Sequence, residues 1–196
     1  NKYQLREITK HLYPKLFYKR INLEQATSLD LDFSQNNSYI LKPCIGFFGL
    51  GVKKITRDTD LKDLVNTIKH NITLADSSIS DAIDTSCFVI ESNLRDDQSL
   101  KELAVDMYFD EEGKPNILGM FIHPIAKNKK YSNLLYYTNS DVINRFYDLT
   151  ENYFLNMSKK VKLKNISIHA EFFANDNYIV PIEMNPLRFG GFGLEK

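Results

Sequence analysis

The chain has 196 residues, 43% of them apolar, and its 25 lysines and arginines balance its 25 aspartates and glutamates. That length accommodates one large domain or two small ones with a real core. A net charge of zero excludes a broad electrostatic pull toward nucleic acid or an anionic membrane, so any phosphate binding has to be local.

Lys2 to Leu12 reads as a short helix closed by Pro14, and Leu16 to Ile21 as a strand. Ser38 to Lys42 is a second strand. It runs into Pro43-Cys44-Ile45-Gly46-Phe47-Phe48-Gly49-Leu50-Gly51 and then a strand from Val52 to Ile55, so the glycines occupy a hairpin loop. Leu61, Leu64, Val65, Ile68 and Ile72 recur at helical spacing, with Asp58 or Thr59 placed to cap the start. A polar stretch from Thr73 to Ser86 precedes a strand beginning at Cys87, and the change of subdomain is expected there. Strands at Glu102–Phe109 and Asn116–His123 flank a turn at Asp110-Glu111-Glu112-Gly113. Val142, Phe146, Leu149, Tyr153 and Met157 mark a second long amphipathic helix. Hairpins mixed with a few long helices predict an α+β layered architecture.

The chain ends in two apolar runs, Ile166 to Ala174 and Tyr178 to Met184, around the turn-forming cluster Asn175-Asp176-Asn177. Directly opposite residues of an antiparallel pair share a face, and their numbers sum to a constant set by the loop. Opposition of Glu171 and Glu183 therefore requires an odd-numbered loop such as Asp176 to Tyr178. Asn185 returns to the face of Glu183 because the strand period is two. Two carboxylates and an amide oxygen are hard donors suited to Mg²⁺, which completes its octahedron with water and phosphate oxygens. Upstream, Lys42 stands at a strand end beside the glycine loop, whose backbone amides can approach phosphate oxygens closely. The strand ending in Glu91, followed by Ser92-Asn93-Leu94, offers backbone hydrogen bonds and an apolar wall for an adenine.

In this order the pieces resemble the ATP-grasp superfamily, whose members include biotin carboxylase, D-alanine:D-alanine ligase and glutathione synthetase. The matching elements are Asn1-Lys2-Tyr3, Lys42-Pro43 with Gly46, Gly49 and Gly51, the strand ending in Glu91, Glu102 opening a strand that reaches Asp106, Glu171, and Glu183-Met184-Asn185-Pro186-Leu187-Arg188-Phe189-Gly190-Gly191. The resemblance implies an ATP-grasp fold of two α+β subdomains with ATP held between them. It divides the chain into residues 1–24 leading from a preceding domain, 25–86 as the small subdomain with the lid loop, and 87–196 as the large one. The first residue is Asn, and the chain reads as a piece of a longer polypeptide.

By the same resemblance Lys2 and Lys42 hold ATP phosphates under a lid formed by Gly46, Gly49 and Gly51. Glu91 and the backbone near Leu94 meet adenine, and Glu102 meets ribose. Glu171, Glu183 and Asn185 bind Mg²⁺ or Mn²⁺, and Arg188 faces the transferred phosphoryl group. Leu187 stands where many members place that arginine. The implied function is an ADP-forming ligase that activates a small-molecule carboxylate as an acyl phosphate for attack by an amine or similar nucleophile. A non-catalytic ATP-binding sensor or scaffold, or a small-molecule kinase on the same fold, is the alternative. Neither nucleic acid nor membrane is an expected partner, and a homodimer is compatible with the pattern. No signal-peptide pattern and no apolar run of roughly 20 residues is found, and Cys44 and Cys87 read as separate thiols of a reducing compartment, so the expected location is cytoplasmic. His123 reads as a structural histidine, with contact to nucleotide or substrate as the alternative, and His169, which shares the face of Glu171, is a poor match for a hard-oxygen metal site. The run Lys127 to Lys130 reads as a solvated loop, and the roles of Phe47-Phe48 and Tyr136-Tyr137 are undecided between core and lid.

Overall fold

A computed structural model describes residues 1–46, 49–75, 81, 83–124, 136–187 and 189–190. The chain forms two compact units, Asn1–Asp96 and Asp97–Lys196. Among the described residues no helix is long and apolar enough to cross a membrane.

The first unit contains helix α1 (Lys2–Thr9), strands β1 (Tyr18–Ile21), β2 (Tyr39–Pro43) and β3 (Lys53–Ile55), helix α2 (Leu61–Leu74) and strand β4 (Phe88–Ser92). The strands form an antiparallel sheet in the order β1-β4-β2-β3. Val65, Ile68 and Ile72 of α2 join Ile21, Tyr39, Leu41, Ile55, Phe88 and Ile90 of the sheet in one apolar core, as the helical spacing predicts. Each such side chain, fully buried, contributes roughly 1.5–3 kcal/mol relative to an exposed one. The cap of α2 is Asp60, whose carboxylate accepts from the amides of Lys62 and Asp63. Neither Asp58 nor Thr59 takes that place. Thr59 instead closes the preceding turn through its hydroxyl on the Thr56 amide.

Two expectations change here. The break anticipated at residues 86/87 lies ten residues later, because β4 is not the start of the second unit: it hydrogen-bonds to β1 on one side and β2 on the other. Cys44 and Cys87 are not separate thiols. They follow and precede the paired residues Pro43 and Phe88, the Cys44 amide donates to the Cys87 carbonyl at 2.8 Å, and the two sulfurs are bonded across a Cα separation of 5.5 Å. That separation is ordinary for a disulfide, so the inference of a reducing compartment no longer rests on these residues.

The second unit contains β5 (Lys101–Phe109), β6 (Pro115–His123), helix α3 (Ser140–Ser158), β7 (Ile166–Ala174) and β8 (Ile179–Pro186). Its strands form an antiparallel sheet in the order β6-β5-β7-β8. Helix α3 starts at Asn139, whose side chain accepts from the Val142 amide, and packs its aromatic stripe on one sheet face. Phe154 stands edge-on to Phe172 at 5.7 Å and to Phe109 at 6.1 Å, and Tyr153 to Phe172 at 5.1 Å. Strand alternation then puts Glu102 and Asp106 of β5, His169 and Glu171 of β7, and Glu183 and Asn185 of β8 on the opposite face.

Candidate functional site

The polar face of the second unit is built by register. Glu171 of β7 lies opposite Glu183 of β8, and His169 opposite Asn185. The opposition is as expected, but its cause is different. Ala174 pairs with Ile179, so the loop has the four residues Asn175 to Tyr178, and an uninterrupted ladder from that even loop would set Glu171 against Ile182. A bulge corrects the parity: Phe172 faces Pro181 and the next pair is Glu171 with Glu183, leaving Ile182 as the extra residue. Pro181 has no amide to give a ladder, which makes a bulge beside it a low-cost place to lose one bond. The Asn175 side chain closes the loop, accepting from the amides of Asn177 and Tyr178 at 2.9 and 3.2 Å.

Glu171, Glu183 and Asn185 are half-buried. The Asn185 amide nitrogen donates to Glu183 Oε1 at 3.0 Å, which ties the two side chains together. Among the described residues no three His, Cys, Asp or Glu side chains cluster closely enough to hold a metal by themselves. Two carboxylates and an amide oxygen on one face are, by chemistry, hard donors of the kind Mg²⁺ takes alongside water and phosphate oxygens.

Behind the acids lies a buried pair that sequence reasoning did not connect. His169 Nδ1 is 2.7 Å from Asp106 Oδ1, and its Nε2 is 3.5 Å from Glu171 Oε1. Asp106 Oδ1 also accepts from the Gly190 amide at 2.8 Å. Burial works against the imidazolium, but hydrogen bonds and charge from Asp106 and then Glu171 outweigh it and raise the His169 pKa from 6.5 to about 9. The signal was available as parity: once Glu102 opposes Phe173, Asp106 must oppose His169. At the other end of β5, Glu102 is buried and pairs with His123 Nδ1 at 3.1 Å, and Tyr136 stacks on His123 at 4.8 Å. Burial, followed by the charges of Glu171, Glu102 and Asp106, raises the Tyr136 pKa. Tyr137 forms a backbone bridge with Ile122.

Beyond β8 the chain turns sharply. Leu187 is largely exposed and left-handed (φ 67°), its amide donating to the Ser167 carbonyl at 2.8 Å. Arg188, Phe47, Phe48 and the run Lys127 to Lys130 lie outside the described residues.

The first unit holds the remaining candidates. Lys42 and Glu91 are buried against each other, Nζ to Oε1 at 2.6 Å. Arg6, which sequence reasoning missed, donates from Nε to Glu91 Oε2 at 2.7 Å and from Nη2 to Oε1 at 3.0 Å. Desolvation pushes the Glu91 pKa up, but the charges of Lys42 and Arg6 prevail and hold it at about 2. Burial depresses Lys42, opposed by Glu91. Glu91 is thus the counter-ion of two cations; no sequence pattern marks Arg6, which lies 85 positions from its partner. Lys2 opens α1, capped by the Asn1 side chain, and its amide donates to the Cys44 carbonyl at 2.8 Å. Gly49 and Gly51 take positive φ of 72° and 76°, and a Cβ on Gly46 would come within 2.7 Å of Pro43 Cγ. Glycine is required at each for conformation or space. Leu94 begins a short 3₁₀ turn, Leu94–Asp96, and is half-buried.

Comparison with known proteins adds the following. A family model described as ATP-grasp domain matches residues 35–196. A search of curated proteins finds no match. Among solved structures, L-amino acid ligase from Bacillus licheniformis is similar with a TM-score of 0.64 at 14% identity, over 100% of this chain and 44% of that one. D-alanyl-alanine synthetase A from Vibrio cholerae gives a TM-score of 0.59 at 16% identity, over 95% of this chain and 54% of that one. The biotin carboxylase domain dimer of Hydrogenobacter thermophilus 2-oxoglutarate carboxylase, solved with MgADP, gives 0.60 at 16%, over 98% of this chain and 40% of that one. The chain spans about half the length of these proteins or less. At such identities the likeness is one of fold.

Proposed function

The chain belongs to the ATP-grasp family, and from that premise we propose that it is the nucleotide-binding part of an ADP-forming ligase that phosphorylates a small-molecule carboxylate for attack by an amine or similar nucleophile. The observation that carries this reading is the bulge-corrected opposition of Glu171 and Glu183 with Asn185 on the same face. A module that only senses nucleotide has no need of two acids and an amide in register.

Glu171, Glu183 and the Asn185 oxygen are the groups that would hold Mg²⁺, which supplies neutralisation of phosphate charge when bound. Lys42, fixed by Glu91, and Lys2 contribute positive charge toward the phosphates, and the amides around Gly46, Gly49 and Gly51 donate to phosphate oxygens. Glu91 and the backbone at Leu94 serve the adenine, and Glu102 accepts from the ribose hydroxyls. Arg188 balances the charge on the phosphoryl group in transfer. Resonance makes a carboxylate a poor electrophile; as an acyl phosphate it has a leaving group, the amine displaces phosphate, and no side chain has to attack. Support comes from the ligases among the structural neighbours and from the MgADP named for one of them.

The test is ADP release by the protein with Mg²⁺, ATP and a panel of carboxylic acids and amines, with product identified by mass. A ligated product is expected, and Glu183→Gln should lower its rate by about 100-fold or more. A stable phosphorylated product without an amine adduct would establish a kinase instead. Tight binding of Mg-ATP with no turnover on any pair would refute the ligase reading.

A further inference from the structure

His169 has no role in the chemistry above, yet it is 7% exposed at the centre of the acidic face and touches one of the proposed metal ligands. Its Nδ1 is fixed by Asp106, itself only 2% exposed, and its Nε2 faces Glu171 Oε1. The ring is also confined by Gly190. A Cβ on Gly190 would overlap His169 Cε1 and Nδ1, so the chain after β8 passes directly against the imidazole, and only glycine leaves room for it. The Gly190 amide then closes on the same Asp106 oxygen that holds the ring. One buried carboxylate therefore anchors both the histidine and the returning backbone, and the histidine passes that constraint to Glu171. A histidine that merely satisfied Asp106 would need one nitrogen and no contact with Glu171.

We propose that His169 is a positioning residue for divalent-cation binding: pinned between Asp106 and Gly190, it holds the Glu171 carboxylate in the orientation that meets the cation. It ligates nothing itself. Groups that orient a ligand in this way commonly change metal affinity by 10–100-fold when removed. The proposal rests on the reading of Glu171, Glu183 and Asn185 as cation ligands, and the experiment separates the two.

Mn²⁺ binding in the presence of ATP is followed by electron paramagnetic resonance, with thermal melting of every sample, for wild type, Glu183→Gln, His169→Asn and Gly190→Ala. His169→Asn can keep a hydrogen bond to Asp106 but is too short to reach Glu171. Gly190→Ala changes no polar side chain but puts a Cβ where the ring lies, so the imidazole or the Gly190 backbone has to shift at Asp106. Both are expected to melt cooperatively and to bind Mn²⁺ at least 10-fold more weakly than wild type, with ATP affinity measured without metal unchanged within about twofold. If Glu183→Gln loses Mn²⁺ while either of the other variants binds it as wild type does, His169 is structural only and the proposal is wrong. If wild type and Glu183→Gln bind Mn²⁺ alike, the acids are not the cation site, and the reading of the site falls together with the proposal.

Discussion

Arg6 and Lys42 share the single Glu91 carboxylate, all three nearly inaccessible to water. The pH dependence of stability follows from this. The Glu91 pKa is depressed, from 4.5 to about 2, so its stabilising contribution is complete above about pH 4.5 and is lost as pH falls toward 2. A depression of that size corresponds to about 3 kcal/mol. Denaturant melts taken stepwise from pH 5 to pH 2 should show this loss, and Glu91→Gln should flatten the curve. At neutral pH the same variant is expected to destabilise by about 3–5 kcal/mol, because it removes the charge that the buried Lys42 and Arg6 share. A side chain expected to face adenine is thus also a structural keystone of its unit. Sequence reasoning located Lys42 and Glu91 but had no means of joining them, since charge pairs across β2 and β4 are invisible until the strand order is known.

Among the elements, helix α2 was legible from spacing alone, because five apolar residues at a helical period leave little choice of face. Its cap was misplaced by one or two residues, as element ends generally are. Asp60→Ala should lower stability by about 1 kcal/mol, whereas Asp58→Ala, away from the helix amides, should be neutral; urea melts of the two distinguish them. The carboxylate hairpin is the more instructive case. Its strands and the facing of Glu171 and Glu183 were readable, yet the odd loop invoked to produce that facing does not exist. The real loop is even, and Ile182 restores the parity. A sequence displays the residues of a bulge without revealing that one of them is unpaired, although Pro181, which cannot continue a ladder, was the available clue.

For the whole molecule, composition and element order led to the α+β class and to the family, and what stayed hidden were contacts between distant positions: the Asp106–His169 pair, Arg6 on Glu91, and the bond between Cys44 and Cys87. The last of these is separated by 43 positions, and closing a loop of that length restricts the unfolded chain by roughly 4 kcal/mol in the chain-entropy treatment. Reductant should therefore lower the melting temperature of the wild type and leave that of Cys87→Ser unchanged. The unit boundary was also misplaced, because the polar stretch ending at Ser86 looks like a linker while β4 beyond it belongs to the first sheet. A fragment ending at residue 86 should accordingly give no cooperative melt by circular dichroism, and one ending at residue 96 should give one. The strand order has a further consequence for biosynthesis. β4 is the last strand of its sheet to leave the ribosome and the one that separates β1 from β2, so until Ser92 emerges the nascent chain carries two open edges that only chaperones or charge can shield from neighbouring polypeptides.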